Sequence, residues 1–139
     1  SFYKLSTLLI ERGKLTLDTP VCSILDGFKN QQVLVNGILE PVKRDVVIKD
    51  LLTMTSGVAY PSDSEVGQIT NKVVDEAIEK ELMRKPLTTV EFANKLGQVP
   101  LEFQPGEKWA YGFSADILGA VIEVISGKEY REFLQLIER

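Results

Sequence analysis

The chain has 139 residues, 44% of them hydrophobic, which is enough apolar material to bury one core. Sixteen Lys and Arg face 20 Asp and Glu, so the formal net charge is −4 and no basic stripe is present to hold phosphates, which argues against nucleic acid as a partner. With no histidine and a single cysteine, the chain cannot carry a Ser-His-Asp triad or an internal disulfide, and zinc is left without its usual nitrogen donor.

In chain order, residues 1–12 read as a helix with Leu5, Leu8 and Leu9 on one face, stopped by Gly13. An extended exit, Leu15 to Pro20, leads to a short helical turn over Val21–Leu25, where Cys22 reads as a small semi-buried thiol and not a nucleophile. Gln32–Val35, Asn36-Gly37 and Ile38–Glu40 predict a β-hairpin closed by Pro41, because Asn-Gly is the preferred two-residue turn between right-twisted strands. Two strands so short need helices to pack on. A second helix is expected over Val47–Thr55, ended by Gly57, with Thr55 and Ser56 as caps.

After the Tyr60–Ser64 loop a long helix runs from about Glu65 to Arg84, turning Val66, Ile69, Val73, Val74, Ala77 and Ile78 inward and a charged face outward. Pro86 stops it. Thr88 and Glu91 form a capping-box pattern, with Leu87 and Phe92 as a hydrophobic staple, for a helix over Thr89–Leu96. Gln104-Pro105-Gly106 then punctuates the chain, Trp109 and Tyr111 follow at alternate positions, and a helix opens near Ser114 or Asp116. Ile117, Leu118, Val121, Ile122 and Ile125 make its apolar stripe and Gly127 its left-handed stop. A last helix, 129–139, places Tyr130, Phe133, Leu134 and Ile137 at core spacing. The apolar runs are interrupted by charges such as Glu123, so no segment reads as a membrane span or leader, and the compartment stays open. The sum is a mainly α domain with one small hairpin, about half or more of it helix, formed by residues 1–139 as a unit.

On residue chemistry alone, Tyr111 is either a rim tyrosine satisfied by backbone or a polar tip mounted at a strand-to-helix turn. The run from Pro105 to Gly127, Pro-Gly-x-x-Trp-x-Tyr-x-x-x-x-Asp-x-Leu-Gly-x-x-Ile-Glu-x-x-Ser-Gly, resembles the segment carrying the catalytic tyrosine in serine hydrolases of the class C β-lactamase type. That superfamily also holds D-alanyl-D-alanine peptidases, penicillin-binding proteins and family VIII carboxylesterases. Ile48–Gly57 is similar to the family's Leu-Leu-Thr-His-Thr-Ser-Gly segment with Met54 at the histidine position, and Glu11–Val21 resembles the exit of the helix that follows the nucleophile.

The resemblance implies the helical lobe of a β-lactamase/transpeptidase-like α/β fold, and acyl transfer from a small ester or amide through an acyl-enzyme, with no cofactor or metal. It assigns Tyr111 to catalysis and Trp109 and Phe113 to lining the acyl pocket, with a structural Trp109 packed under the turn as the other reading. In the family a serine and a lysine one helical turn apart complete the machinery. Since a phenol ordinarily titrates near pH ~10, such a tyrosine acts as a base at neutral pH only if nearby cations stabilise the phenolate or if lysine and tyrosine exchange the proton as a unit. Ser1-Phe2-Tyr3-Lys4 fits Ser-x-x-Lys literally but lies too near Glu11 for that helix, so the nucleophile is expected upstream. The late strand with Lys-Thr-Gly or His-x-Gly is also not seen, and the expectation is a piece excised from a larger enzyme, inactive alone and able to self-associate where its sheet lobe would pack. Phe113 stands where class C β-lactamases place a substrate-contacting asparagine, and a phenyl ring cannot donate that hydrogen bond. The pattern is closer to family VIII esterases and acyltransferases. The rival reading is a non-catalytic, penicillin-binding-like binding or interaction domain.

Overall fold

A computed structural model describes residues 2–127 and residue 135, so the helix expected over 129–139 and Ser1 lie outside the described residues. The order is α1 (Phe2–Glu11), two 3-10 turns (Val21–Ser23 and Asp26–Phe28), β1 (Gln32–Val35), β2 (Ile38–Pro41), α2 (Ile48–Leu52), α3 (Glu65–Leu82), α4 (Thr89–Gly97) and α5 (Ser114–Ser126). The described chain is predominantly helical, and its one sheet is the antiparallel pair β1–β2.

Helix α5 is the centre of the core. Ile117, Ala120, Val121 and Ile122 are fully buried and Leu118 nearly so, with α1, α2 and α4 packed around them. A helix apolar on most of its circumference must be enclosed, and each fully buried Leu, Ile or Val contributes about 1.5–3 kcal/mol. Leu9 from α1, Leu51 from α2 and Ala93 and Leu96 from α4 complete this cluster, with Phe28 from the second 3-10 turn.

The hairpin forms in the expected register, Val35 opposite Ile38 and Gln32 opposite Pro41, with Asn36 and Gly37 both at positive φ, the requirement of the tight turn. Leu34 packs on the cluster that holds Val66 of α3, as expected, and a backbone ladder to Leu101 adds to it. The Leu34 N–H donates to the Leu101 carbonyl at 3.0 Å and the Leu101 N–H to the Gln32 carbonyl at 2.8 Å, while Val33 is fully buried beneath. All of β2 stays exposed.

Helix α2 is shorter than the expected 47–55. It ends at Leu52, and Met54 adopts the left-handed conformation (φ 59°), which lets the Thr55 N–H return to the Asp50 carbonyl at 2.9 Å. That cap normally selects glycine, so a methionine there hides the helix end from a sequence reading. Its N-terminus is held by Asp50, whose carboxylate accepts from the Val47 N–H at 2.8 Å and takes both Arg44 nitrogens, at 2.7 and 2.8 Å. Asp50 is 3% exposed, and the guanidinium that neutralises it lies directly under Gly106. Gly106 sits at φ 86° and a β-carbon there would run into Arg44, so the turn before the tyrosine needs glycine for two reasons.

Helix α3 begins where expected, with the Ser64 hydroxyl accepting from the Gly67 N–H at 2.9 Å. Its first half enters the core through Val66 and Thr70, with Ile69 and Val73 packed alongside. Ile78, expected inward, is 50% exposed because the C-terminal half runs past α4, to which the Lys95–Glu76 ion pair at 3.2 Å ties it. Helix α4 shows the expected capping box, Glu91 N–H to Thr88 Oγ1 at 3.1 Å and Thr88 N–H to Glu91 Oε1 at 3.0 Å.

These anchors respond to substitution in distinct ways. Arg44→Met strands the buried Asp50 carboxylate and should cost about 3 kcal/mol in urea unfolding, whereas Arg44→Lys, which keeps the charge but not the fork, should fall between. Thr88→Ala should cost about 1 kcal/mol. The Thr88 N–H, then its hydroxyl, hold the Glu91 carboxyl below its usual range. Such a carboxyl adds stability above its unfolded pKa that is lost as pH falls through the folded value. Unfolding curves from neutral to acid pH should therefore converge for wild type and Glu91→Gln, and parallel curves would be the contrary result.

Candidate functional site

The tyrosine segment is laid against the loop that follows α2. The Glu102 N–H donates to the Gly57 carbonyl at 2.9 Å, the Gly106 N–H to Thr55 at 2.8 Å, and the Ala110 N–H to Met54 at 3.0 Å. Ala59 and Gly112 close the seam as an antiparallel bridge. Thus the two stretches read separately as motifs, Ile48–Gly57 and Pro105–Gly127, meet in space. The left-handed turn at Met54 aims its carbonyl at the residue preceding Tyr111.

Gly112 is needed for this approach, since a β-carbon there would collide with the Val58 carbonyl. Behind it Ser56 and Ser114, each 1% exposed, share a hydrogen bond of 2.8 Å, and Ser56 Oγ also accepts from the Val58 N–H at 3.2 Å. Ser56 therefore ties the loop to the first residue of α5 and is enclosed, which suits a linking role and not a nucleophile. On the other flank the Gln104 side chain accepts from the Lys43 N–H at 2.8 Å and donates to the Pro41 carbonyl at 3.2 Å, joining the turn to the hairpin exit.

Alternation along an extended backbone puts Trp109 and Tyr111 on one face, and the turn into α5 at Phe113 (φ −81°, ψ 17°) takes the third aromatic off it. Trp109 and Tyr111 project from the same side with rings edge-to-face at 4.6 Å, and they are 58% and 70% exposed. The tryptophan is not packed under the turn. Phe113 is half-buried and turned toward the helices, edge-to-face with Tyr60 at 4.8 Å and with Phe92 at 5.6 Å. Tyr60 was not singled out by sequence; its only signal is a place three residues beyond Gly57, and its partners come from 32 and 53 residues further along the chain.

Trp109 also forms one wall of an open cavity of about 490 Å³ between the hairpin, the start of α3 and residues 102–110. Lys4 is exposed on α1. Among the described residues no group of three or more His, Cys, Asp or Glu could hold a metal ion, and no helix is long and apolar enough to cross a membrane. Burial, then the Asp45 carboxylate, push the Cys22 thiol up, which keeps it in its unreactive protonated form.

Residues 5–136 match the family model described as Beta-lactamase. The chain is 34% identical over 120 residues to the esterase EstB of Burkholderia gladioli, covering 86% of this chain and 28% of EstB. It is 32% identical over 123 residues to the acyltransferase calJ of Penicillium decumbens, covering 85% of this chain and 28% of calJ. Among solved structures, EstCE1, described as a hydrolase with promiscuous acyltransferase activity, superimposes with TM-score 0.71 at 27% identity over 94% of this chain and 32% of EstCE1. A penicillin binding protein from Bacillus halodurans does so with TM-score 0.63 at 28% identity over 97% of this chain and 35% of that one. The chain thus spans 28% of the length of each of the two sequence relatives. With residues 5–136 of 139 matching the family model and the two motif segments joined in one seam, this chain belongs to the beta-lactamase family of serine hydrolases, among esterases, acyltransferases and penicillin-binding proteins.

Proposed function

We propose that this chain is the helical lobe of a longer serine hydrolase or acyl-transfer enzyme, acting on small esters or amides through an acyl-enzyme, with Tyr111 as the proton-transfer residue. The observation that carries the reading is the mounting of Tyr111. Its backbone is clamped by the Ala110–Met54 hydrogen bond on one side and the Gly112–Ala59 bridge on the other, while its ring is 70% exposed. A fixed main chain with a projecting phenol is what a general base needs to hold a reproducible distance to a reacting atom.

In this mechanism a serine and lysine from the remainder of the protein meet Tyr111. The serine oxygen attacks the substrate carbonyl while its proton passes to the tyrosine–lysine pair. That proton goes to the leaving alcohol or amine as the tetrahedral intermediate collapses, and water or an acceptor alcohol then releases the acyl group by the same route in reverse. Backbone donors of the sheet lobe stabilise the oxyanion. Supporting the two-lobe reading is the length comparison, in which this chain covers under a third of EstB and calJ. Trp109 is assigned to the acyl pocket through its exposed face, and Phe113, half-buried against Tyr60 and Phe92, is assigned to the pocket's border. An apolar edge there, in place of an amide, favours ester over β-lactam substrates.

In the full-length protein Tyr111→Phe keeps the ring and removes the proton carrier. Turnover of a short-chain p-nitrophenyl ester should fall by about 10²–10⁴-fold with little change in melting temperature. Ser1→Ala should do far less. Near-normal turnover in Tyr111→Phe together with its loss in Ser1→Ala would overturn both assignments, and no ester turnover by the wild-type protein would favour a non-catalytic binding role.

A further inference from the structure

The cavity beside Trp109 is built differently at its floor and its rim. Val66, from the first turn of α3, and Phe103 are 3% and 7% exposed, and Leu34 of β1 is half-buried, so the floor is apolar and formed by three separate elements. Trp109 supplies a flat wall with 58% of its surface open. The rim carries the carboxylates of Glu65 and Glu102 against the single ammonium of Lys108. Glu102 does not swing freely, since the Ser64 hydroxyl that opens α3 donates to its Oε1 at 3.3 Å. The volume, about 490 Å³, is in the range of small-ligand sites, most of which combine an apolar lining with a few fixed polar groups.

We infer that this cavity is the subsite for the apolar arm of an uncharged ester, an aryl or branched alkyl group that lies on the Trp109 face above Val66 and Phe103, and that its acidic rim disfavours arms ending in a carboxylate. The inference rests on the reading of Tyr111 as the proton-transfer residue, because the Trp109 ring touches both the cavity and the Tyr111 ring, 4.6 Å away. The arm would then lie on one face of the indole while the reacting carbonyl lies toward the phenol. A flat group gains by stacking on the indole and by leaving water for the Val66–Phe103 floor. A terminal carboxylate meets two like charges for one opposite charge, a penalty that salt screens because the rim is open.

Trp109 is the only tryptophan in the chain, so its emission reports on this wall alone. The test titrates the 139-residue chain with 1-butoxy-4-nitrobenzene, a neutral hydrolysis-proof quencher, and with 4-(4-nitrophenyl)butyrate, its anionic counterpart. The neutral compound should quench saturably, and the anion should need several-fold more ligand at low salt, a gap that narrows at high salt and in Glu102→Gln. Val66→Phe, which fills the floor, should raise the half-saturation concentration for the neutral compound about tenfold. Should that variant not fold, Leu34→Phe at a half-buried site serves the same purpose. Linear, unsaturable quenching, or saturable quenching that the filling variants leave unchanged, overturns the subsite. If that happens while the full-length protein loses ester turnover in Tyr111→Phe, the catalytic reading stands without it. Saturable, variant-sensitive quenching alongside undiminished turnover in Tyr111→Phe would instead keep the cavity as a binding site and remove Tyr111 from catalysis.

Discussion

The hydrogen-bonded seam between residues 54–59 and 102–112 fixes everything placed above it. Neither segment is a helix or a strand of the sheet, so neither can satisfy its own backbone groups, and each supplies the other's partners: Glu102 to Gly57, Gly106 to Thr55, Ala110 to Met54. Each such bond is worth only about 0.5–1.5 kcal/mol net, but leaving one unmade in a buried seam costs more than its formation gains. The seam therefore behaves as a unit. Its ends are anchored in the core, one through α2 and the other through Ser114 at the start of α5, and the Ser56–Ser114 hydrogen bond locks the two ends together. Tyr111 takes its orientation from that frame and not from contacts of its own ring, which is why it can be both exposed and positioned.

The Arg44–Asp50 pair extends the same logic below the seam. A buried carboxylate is costly, and an ion pair of this kind seldom adds net stability over an apolar replacement. What it adds here is connection. Asp50 caps the start of α2 through Val47, and the guanidinium it binds packs against Gly106, so the N-terminus of one motif and the turn of the other are referenced to a single charged contact.

The parts of this arrangement that sequence exposes are those written in local chemistry. The stripe and Gly127 stop of α5, the Thr88/Glu91 box of α4 and the Asn36-Gly37 turn each rest on residues a few positions apart, and each appears in the structure near its expected bounds. The end of α2 was misplaced because Met54 takes a left-handed conformation that no residue preference would assign to it. Ile78 lies one turn beyond Val74, at the flank of the apolar stripe, but faces solvent, since periodicity gives the face of a helix and not the length over which a neighbour covers it. Tyr60 and the inward turn of Phe113 were illegible for a different reason. Their contact joins residues 53 positions apart and depends on the Gly112 approach to Val58, a tertiary fact with no local signature. The hairpin shows both cases at once, with a legible turn and an unforeseen partner in Leu101.

The segment from Trp109 to Phe113 has apolar surroundings on both sides. On one side Phe113 stands among Tyr60 and Phe92, and on the other Trp109 overlooks Val66 and Phe103. An apolar wall distinguishes ligands weakly, by about 1–3 kcal/mol per methylene, whereas a wall built to hydrogen-bond a substrate group rejects analogues lacking it far more strongly. At position 113 a phenyl ring offers no such donor. On the proposed reading, a lobe of this composition would sort substrates by bulk and charge more than by hydrogen-bonding pattern.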